Sequence, residues 1–125
     1  MSDKSTQTSL ASSPATLAHR IGDAVIEKKA QDLVVIEIGK ISSLADYLVI
    51  ATVDNSRQLQ AIARDLDEMV KKEGGHRLGD EGLDQGWWVL LDFGDVVVHL
   101  MQDEAREFYD IEALWSDGEV VRRSA

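Results

Sequence analysis

Gly86-Trp87-Trp88-Val89-Leu90-Leu91-Asp92-Phe93-Gly94-Asp95-Val96-Val97-Val98-His99-Leu100-Met101 reads as two β-strands joined by a two-residue turn at Gly94-Asp95. Glycine at the first central position suits a tight primed turn, because it tolerates positive φ. That turn sets the pairing: Phe93 with Val96, Asp92 with Val97, Leu91 with Val98, Leu90 with His99, Val89 with Leu100 and Trp88 with Met101. Side chains alternate along a strand, so the register defines two faces. One carries Val89, Leu91, Phe93, Val96, Val98 and Leu100 and is wholly apolar. The other carries Trp88, Leu90, Asp92, Val97, His99 and Met101. A face of that mixture is either closed by a helix or kept for a partner, and the rest of the chain must cover at least one of the two.

Working outward, residues 103–115 predict a helix capped by Asp103, with Phe108, Ile111, Leu114 and Trp115 docking on the sheet. Upstream, Leu59, Ile62, Ala63, Leu66, Met69 and Val70 form a regular apolar stripe, ended by Gly74-Gly75. Asp54-Asn55-Ser56 is a turn able to cap that helix. Lys71-Lys72 suits the negative end of its dipole. Residues 33–38 and 47–53 are continuous apolar runs of the buried-strand kind. His76-Arg77-Leu78 reads as a short edge strand, and residues 79–86 as a glycine-rich acidic loop. Ser13-Pro14 opens a first helix to about Lys29, with Ser as N-cap and Pro at the first helical position.

The order α-β-β-α-(β)-β-β-α predicts an α/β (α+β) fold, a mixed sheet of about five strands with flanking helices. Residues 1–12, rich in Ser and Thr, read as a disordered tail. Residues 13–118 read as one domain, and residues 119–125 as a C-terminal tail with a little extended structure at Val120-Val121. The chain's 125 residues suffice for one core and not for two. Its hydrophobic content of 44% places it among folded globular chains. There is no cysteine, which removes disulfides, thiolate chemistry and Cys-based metal sites and weakly favours a reducing compartment. No apolar run reaches the ~20 residues of a membrane span, and the N-terminus has no signal-like segment. The expected location is the cytoplasm.

The formal net charge of −10 is unevenly placed. Residues 80–119 hold twelve acidic side chains and one basic one, Arg106, so that segment carries −11 and the remainder +1. Such a domain is repelled by a nucleic-acid backbone, so no direct nucleic-acid binding is expected. It attracts a basic protein surface, or its carboxylates serve solubility alone.

Several residues invite a chemical reading. Asp92 and His99 are diagonal neighbours on one face, half of a hydrolytic triad or a structural polar pair. No Gly-x-Ser-x-Gly supplies a nucleophile. Asp92-Phe93-Gly94 matches the magnesium-binding tripeptide of kinases, but no glycine-rich phosphate loop accompanies it, so it reads as a turn. Asp80, Glu81 and Asp84 lack calcium-loop spacing. Neither a metal nor a cofactor is expected. Arg57, beside Ser56 at a helix start, holds an anion there or pairs with Asp46 or Asp54. Trp88 has the composition of a binding hot spot, and equally of ordinary core packing.

Together, Ala51-Thr52, Ser56-Arg57-Gln58, Glu81-Gly82, Trp88-Val89-Leu90-Leu91-Asp92, Gly94-Asp95-Val96-Val97-Val98-His99, Arg106, Phe108-Tyr109 and Leu114-Trp115 resemble the ribosomal silencing factor, or Iojap, family. The resemblance spans roughly residues 17–115. It implies a translation repressor that binds the large ribosomal subunit through its ribosomal protein fourteen. It implies blocked joining of the small subunit when nutrients are scarce, no catalysis, and a homodimer in the free form. The implied fold is nucleotidyltransferase-like, although the Gly-Ser and paired Asp-x-Asp of such enzymes are missing. Two positions depart from the family pattern: Val53-Asp54-Asn55 replaces a smaller turn, and Trp87 doubles the aromatic before Trp88. Carried over by motif, the contact residues are Trp88, Asp92, Phe93 and His99, with Asp46, Arg57, Arg106 and Tyr109 in support. Phe93 shares a partner with Trp88 only if it is exposed at the sheet's end. The alternatives are a nucleotidyltransferase-like enzyme, on fold analogy alone, and an acidic module for some other basic partner.

Overall fold

The hairpin forms in the register that its turn dictates. In a computed structural model, which describes residues 13–125, Trp88 pairs with Met101, Val89 with Leu100, Leu90 with His99, Leu91 with Val98 and Asp92 with Val97. Phe93 N–H donates to the Val96 carbonyl at 3.0 Å, and Gly94 takes φ +90° in the turn. The expected tail at residues 1–12 lies outside the described residues.

Ten elements follow one another: α1 (Pro14–Glu27), β1 (Gln31–Glu37), β2 (Tyr47–Val53), α2 (Ser56–Lys72), β3 (Gly79–Glu81), β4 (Trp88–Asp92), β5 (Val96–Gln102), α3 (Asp103–Tyr109), α4 (Ile111–Leu114) and β6 (Glu119–Ser124). The strands build one six-stranded sheet in the order β3-β4-β5-β2-β1-β6. All neighbours are antiparallel except β2 and β5, which run parallel from Tyr47↔Val96 to Val53↔Gln102. Parallel pairing needs a long crossover, and α2 with the β3–β4 hairpin provides it.

The helices start where their caps place them. Ser13 Oγ accepts from Thr16 N–H at 3.2 Å, with Pro14 in the first turn. Asn55 Oδ1 accepts from Gln58 N–H at 2.8 Å, while Gln58 Oε1 accepts from Asp54 N–H at 2.6 Å. This reciprocal arrangement satisfies two amides at the start of α2.

The two sheet faces have different covers. Leu33, Val35, Val49, Ala51, Val53, Val89, Leu91, Val98 and Leu100 are buried beneath the apolar stripes of α1 and α2. Val34, Ile36, Leu48, Ile50 and Met101 form the second core, closed by Ala105 of α3 and Ile111 of α4. Those two short helices leave Trp88, Leu90 and Val97 half-buried towards the β3 edge.

The structure corrects four expectations. The edge strand is Gly79–Glu81, not residues 76–78. Residues 119–125 are not a tail: Glu119–Ser124 pair with β1 and add a sixth strand. Gln102, not Asp103, is the N-cap of α3. The long helix over 103–115 is two helices, because Asp110 takes φ +42° and ψ +60° between them. Asp tolerates that left-handed conformation better than most residues. After the break Leu114 does not dock on the sheet, nor does Phe108 on α3 before it; they are 76% and 77% exposed.

Candidate functional site

The second face of the β4–β5 hairpin carries Trp88 and His99, which the register makes diagonal neighbours. Trp88 Nε1–H donates to His99 Nδ1 at 3.0 Å. Tyr109, at the end of α3, packs on the indole with ring centroids 4.4 Å apart. Tyr109 also meets Trp87 edge-on at 5.8 Å and Phe108 at 4.9 Å. The result is a cluster of four aromatic rings, of which Trp87, Phe108 and Tyr109 are 37%, 77% and 44% exposed. Exposed aromatic clusters of this kind mark interaction sites.

Glycines bring the surrounding loop close. Gly82 has φ +88°, and a Cβ there would fall 2.1 Å from the Trp88 carbonyl oxygen. Gly86 has φ +69°, and its Cβ would fall 2.4 Å from Ser56 Cβ. Gln102 secures the same loop: its N–H donates to the Trp87 carbonyl and its side-chain amide to the Gly86 carbonyl, both at 2.9 Å. Glu81, Gly82, Trp88 and Leu90 line an open cleft of about 280 Å³ beside the indole. Glu81, Asp84, Asp103, Glu104, Glu107 and Asp110, all exposed, come from the segments that build this surface. The face therefore joins apolar rings to carboxylates.

His99 is 6% exposed, and burial pushes its pKa down to about 4. It is neutral at pH 7 and accepts from Trp88, so its proton sits on Nε2. Asp92 does not orient it. Asp92 Oδ1 accepts from Gly94 N–H at 2.8 Å and braces the turn. The pair is structural.

The remaining sequence-predicted residues divide. Trp88, His99 and Tyr109 are brought together. Phe93 is buried in the core under α1 and α2, on the opposite face, so the exposure it needed to share a partner with Trp88 is missing. Asp46 lies at the turn end of the sheet, where its N–H donates to the Asp95 carbonyl at 2.8 Å. Arg57 is exposed on the first turn of α2 and forms no ion pair with Asp46 or Asp54. Arg106 is a brace. Its guanidinium donates to the Asp32 carbonyl at 2.5 Å, Thr52 Oγ1 at 2.9 Å and Glu112 Oε1 at 2.9 Å. Asp32 takes φ +51° at an irregularity of β1, which turns that carbonyl out of the ladder. Arg106 thus fastens α3, and with it Tyr109 and Phe108, to β1, β2 and α4.

Sequence reasoning missed Phe108 as a surface residue and flagged Trp87 as a departure able to alter the contact surface, without naming it a contact residue. The available signal was the adjacent pair Phe108-Tyr109, which cannot both point inward from one short helix. Among the described residues, no group of three or more His, Asp or Glu side chains is placed to share a metal ion, and no helix is long and apolar enough to cross a membrane.

Fold and site define a small domain built on a six-stranded mixed sheet, with an aromatic, carboxylate-flanked surface on one face. Residues 11–125 match the family described as "Ribosomal silencing factor during starvation". The ribosomal silencing factor RsfS of Chromobacterium violaceum is 41% identical over 93 residues, 74% of this chain and 76% of that relative. A mouse protein named mitochondrial assembly of ribosomal large subunit protein 1 is 34% identical over 72% of this chain and 41% of its own. A crystal structure of a C. violaceum protein superposes with a TM-score of 0.80 at 36% identity, covering 84% of this chain and 88% of that one. The chain belongs to the ribosomal silencing factor (RsfS) family.

Proposed function

We propose that this chain represses translation by binding the large ribosomal subunit through ribosomal protein fourteen, so that the small subunit cannot join. Nutrient limitation is the condition under which it acts, in the cytoplasm, and its free form is a homodimer. Family membership supports a ribosomal role, and the mouse relative is named for assembly of the ribosomal large subunit. The observation that carries the contact surface is the cluster of Trp87, Trp88, Phe108 and Tyr109 in the acidic half of the chain. Burying exposed aromatic rings supplies affinity, and the −11 segment draws a basic partner and orients it.

The test measures co-sedimentation with isolated large subunits and the rate of subunit joining. Wild-type protein should co-sediment and slow joining. Unaffected joining at saturating protein would refute the proposal. Trp88→Ala should weaken binding by about 2 kcal/mol, roughly thirtyfold. Because Trp88 also packs on the second core, its variant will lose some stability as well. Phe108→Ser is the cleaner probe. At 77% exposure it should leave urea stability within about 0.5 kcal/mol of wild type while binding falls. A Phe108→Ser protein that binds subunits normally would remove Phe108 from the contact surface.

A further inference from the structure

His99 is the one buried side chain on its face of β5 with ring nitrogens to satisfy. Its neighbours at alternate positions, Val97 and Met101, are apolar. A buried polar group persists at low cost only where it is used. Here the use is specific: His99 Nδ1 accepts the Trp88 indole N–H at 3.0 Å. The rings lie 5.9 Å apart and tilted by 34°, side by side rather than stacked face to face. Tyr109 packs on the indole at 4.4 Å, and the indole's remaining surface lines the cleft with Glu81 and Leu90. A half-buried Trp without that acceptor would have other rotamers open to it.

We propose that His99 is a positioning residue for partner binding: by accepting the Trp88 N–H on Nδ1, it locks the indole in the orientation that completes the aromatic surface. Burial keeps the imidazole neutral at physiological pH, so the acceptor lone pair is always present. The inference rests on Trp88 meeting the ribosomal partner, as proposed above.

Three variants separate this role from plain packing. Asn places its carbonyl oxygen near the position of Nδ1, whereas Gln places its amide near Nε2 and Leu has no acceptor. The readouts are the Trp88 indole N–H resonance, assigned by its loss in Trp88→Phe, and binding to isolated large ribosomal subunits. His99→Leu and His99→Gln should shift that resonance, speed its exchange with solvent and weaken binding about tenfold. His99→Asn should restore both. In the Trp88→Phe background, which has no indole N–H, His99→Leu and His99→Asn should bind alike.

An unshifted indole resonance in both His99→Leu and His99→Gln overturns the proposal. So does a shifted resonance with wild-type affinity, or a Leu-to-Asn difference that persists without the indole N–H. Those results leave the ribosomal role standing, provided the wild type binds. Wild-type protein that does not bind subunits refutes the ribosomal role itself, and this inference with it.

Discussion

Arg106→Ala should destabilise the fold by about 3 kcal/mol, read as a fall of roughly 10 °C in the unfolding midpoint. The Arg106 side chain is only 14% exposed, and its guanidinium serves three acceptors on separate parts of the chain. Removing it leaves the buried Thr52 hydroxyl without that donor, which costs its desolvation, and frees the exposed Asp32 carbonyl from its tie to α3. It also strips Glu112 of its main cation. Burial works to raise the Glu112 carboxyl, but the hydrogen bond and charge of Arg106, joined by Arg123, outweigh it and hold the group below the usual range. Arg123 at 3.4 Å is too distant and too exposed to replace Arg106. Arg106→Lys should recover only part of the loss, since one ammonium cannot span the three acceptors in the same plane. Differential scanning calorimetry on the three proteins decides the matter. An Ala variant that melts within 2 °C of wild type would show that the guanidinium is dispensable.

Acid should destabilise the protein well before its carboxylates are all protonated. The ordinary imidazole takes up its proton near pH 6.5, and that of His99 near 4. Between those values the unfolded chain binds more protons than the folded one, so stability falls as pH drops below 6.5. The loss is complete below 4 and reaches about 3 kcal/mol. Glu112 adds to it in the same direction. Its folded pKa is depressed, so its contribution is present at neutral pH and lost as pH falls through that folded value. With a pI of about 4.6, the protein is best compared by urea melts at pH 7.5 and 5.2. The wild type should lose about 2 kcal/mol across that interval. His99→Asn, which does not titrate there, should lose clearly less. Equal losses in both proteins would show that His99 does not govern the acid response.

Both effects depend on contacts that differ greatly in how visible they are in the chain. The hairpin was legible, because one glycine in a two-residue turn sets every pair that follows. From those pairs came the two faces and the adjacency of Trp88 to His99. The capped helices were legible too, since Ser13-Pro14 and Asn55 with Gln58 act within four residues. Family membership rested on the same local motifs.

Arg106 was seen as a supporting residue, but not what it supports. Two of its three acceptors lie 74 and 54 residues away in sequence, and one of these is a backbone carbonyl at an irregularity in β1. The last strand was legible only as a little extended structure at Val120-Val121, for a related reason. Residues 119–124 have no buried alternation and become a strand only because β1 offers an unpaired edge.

The sequence by itself determined the hairpin's register, its apolar and mixed faces, and the charge that a partner meets. Those follow from backbone periodicity and turn geometry, which act between near neighbours. Only the tertiary structure decided which rings remain outside. A single left-handed residue at Asp110 redirects the chain after it, burying Ile111 and leaving Leu114 in water, while Phe108 stays exposed on α3 before the break. That choice is set by the packing of two short helices on a distant sheet, which no local pattern encodes.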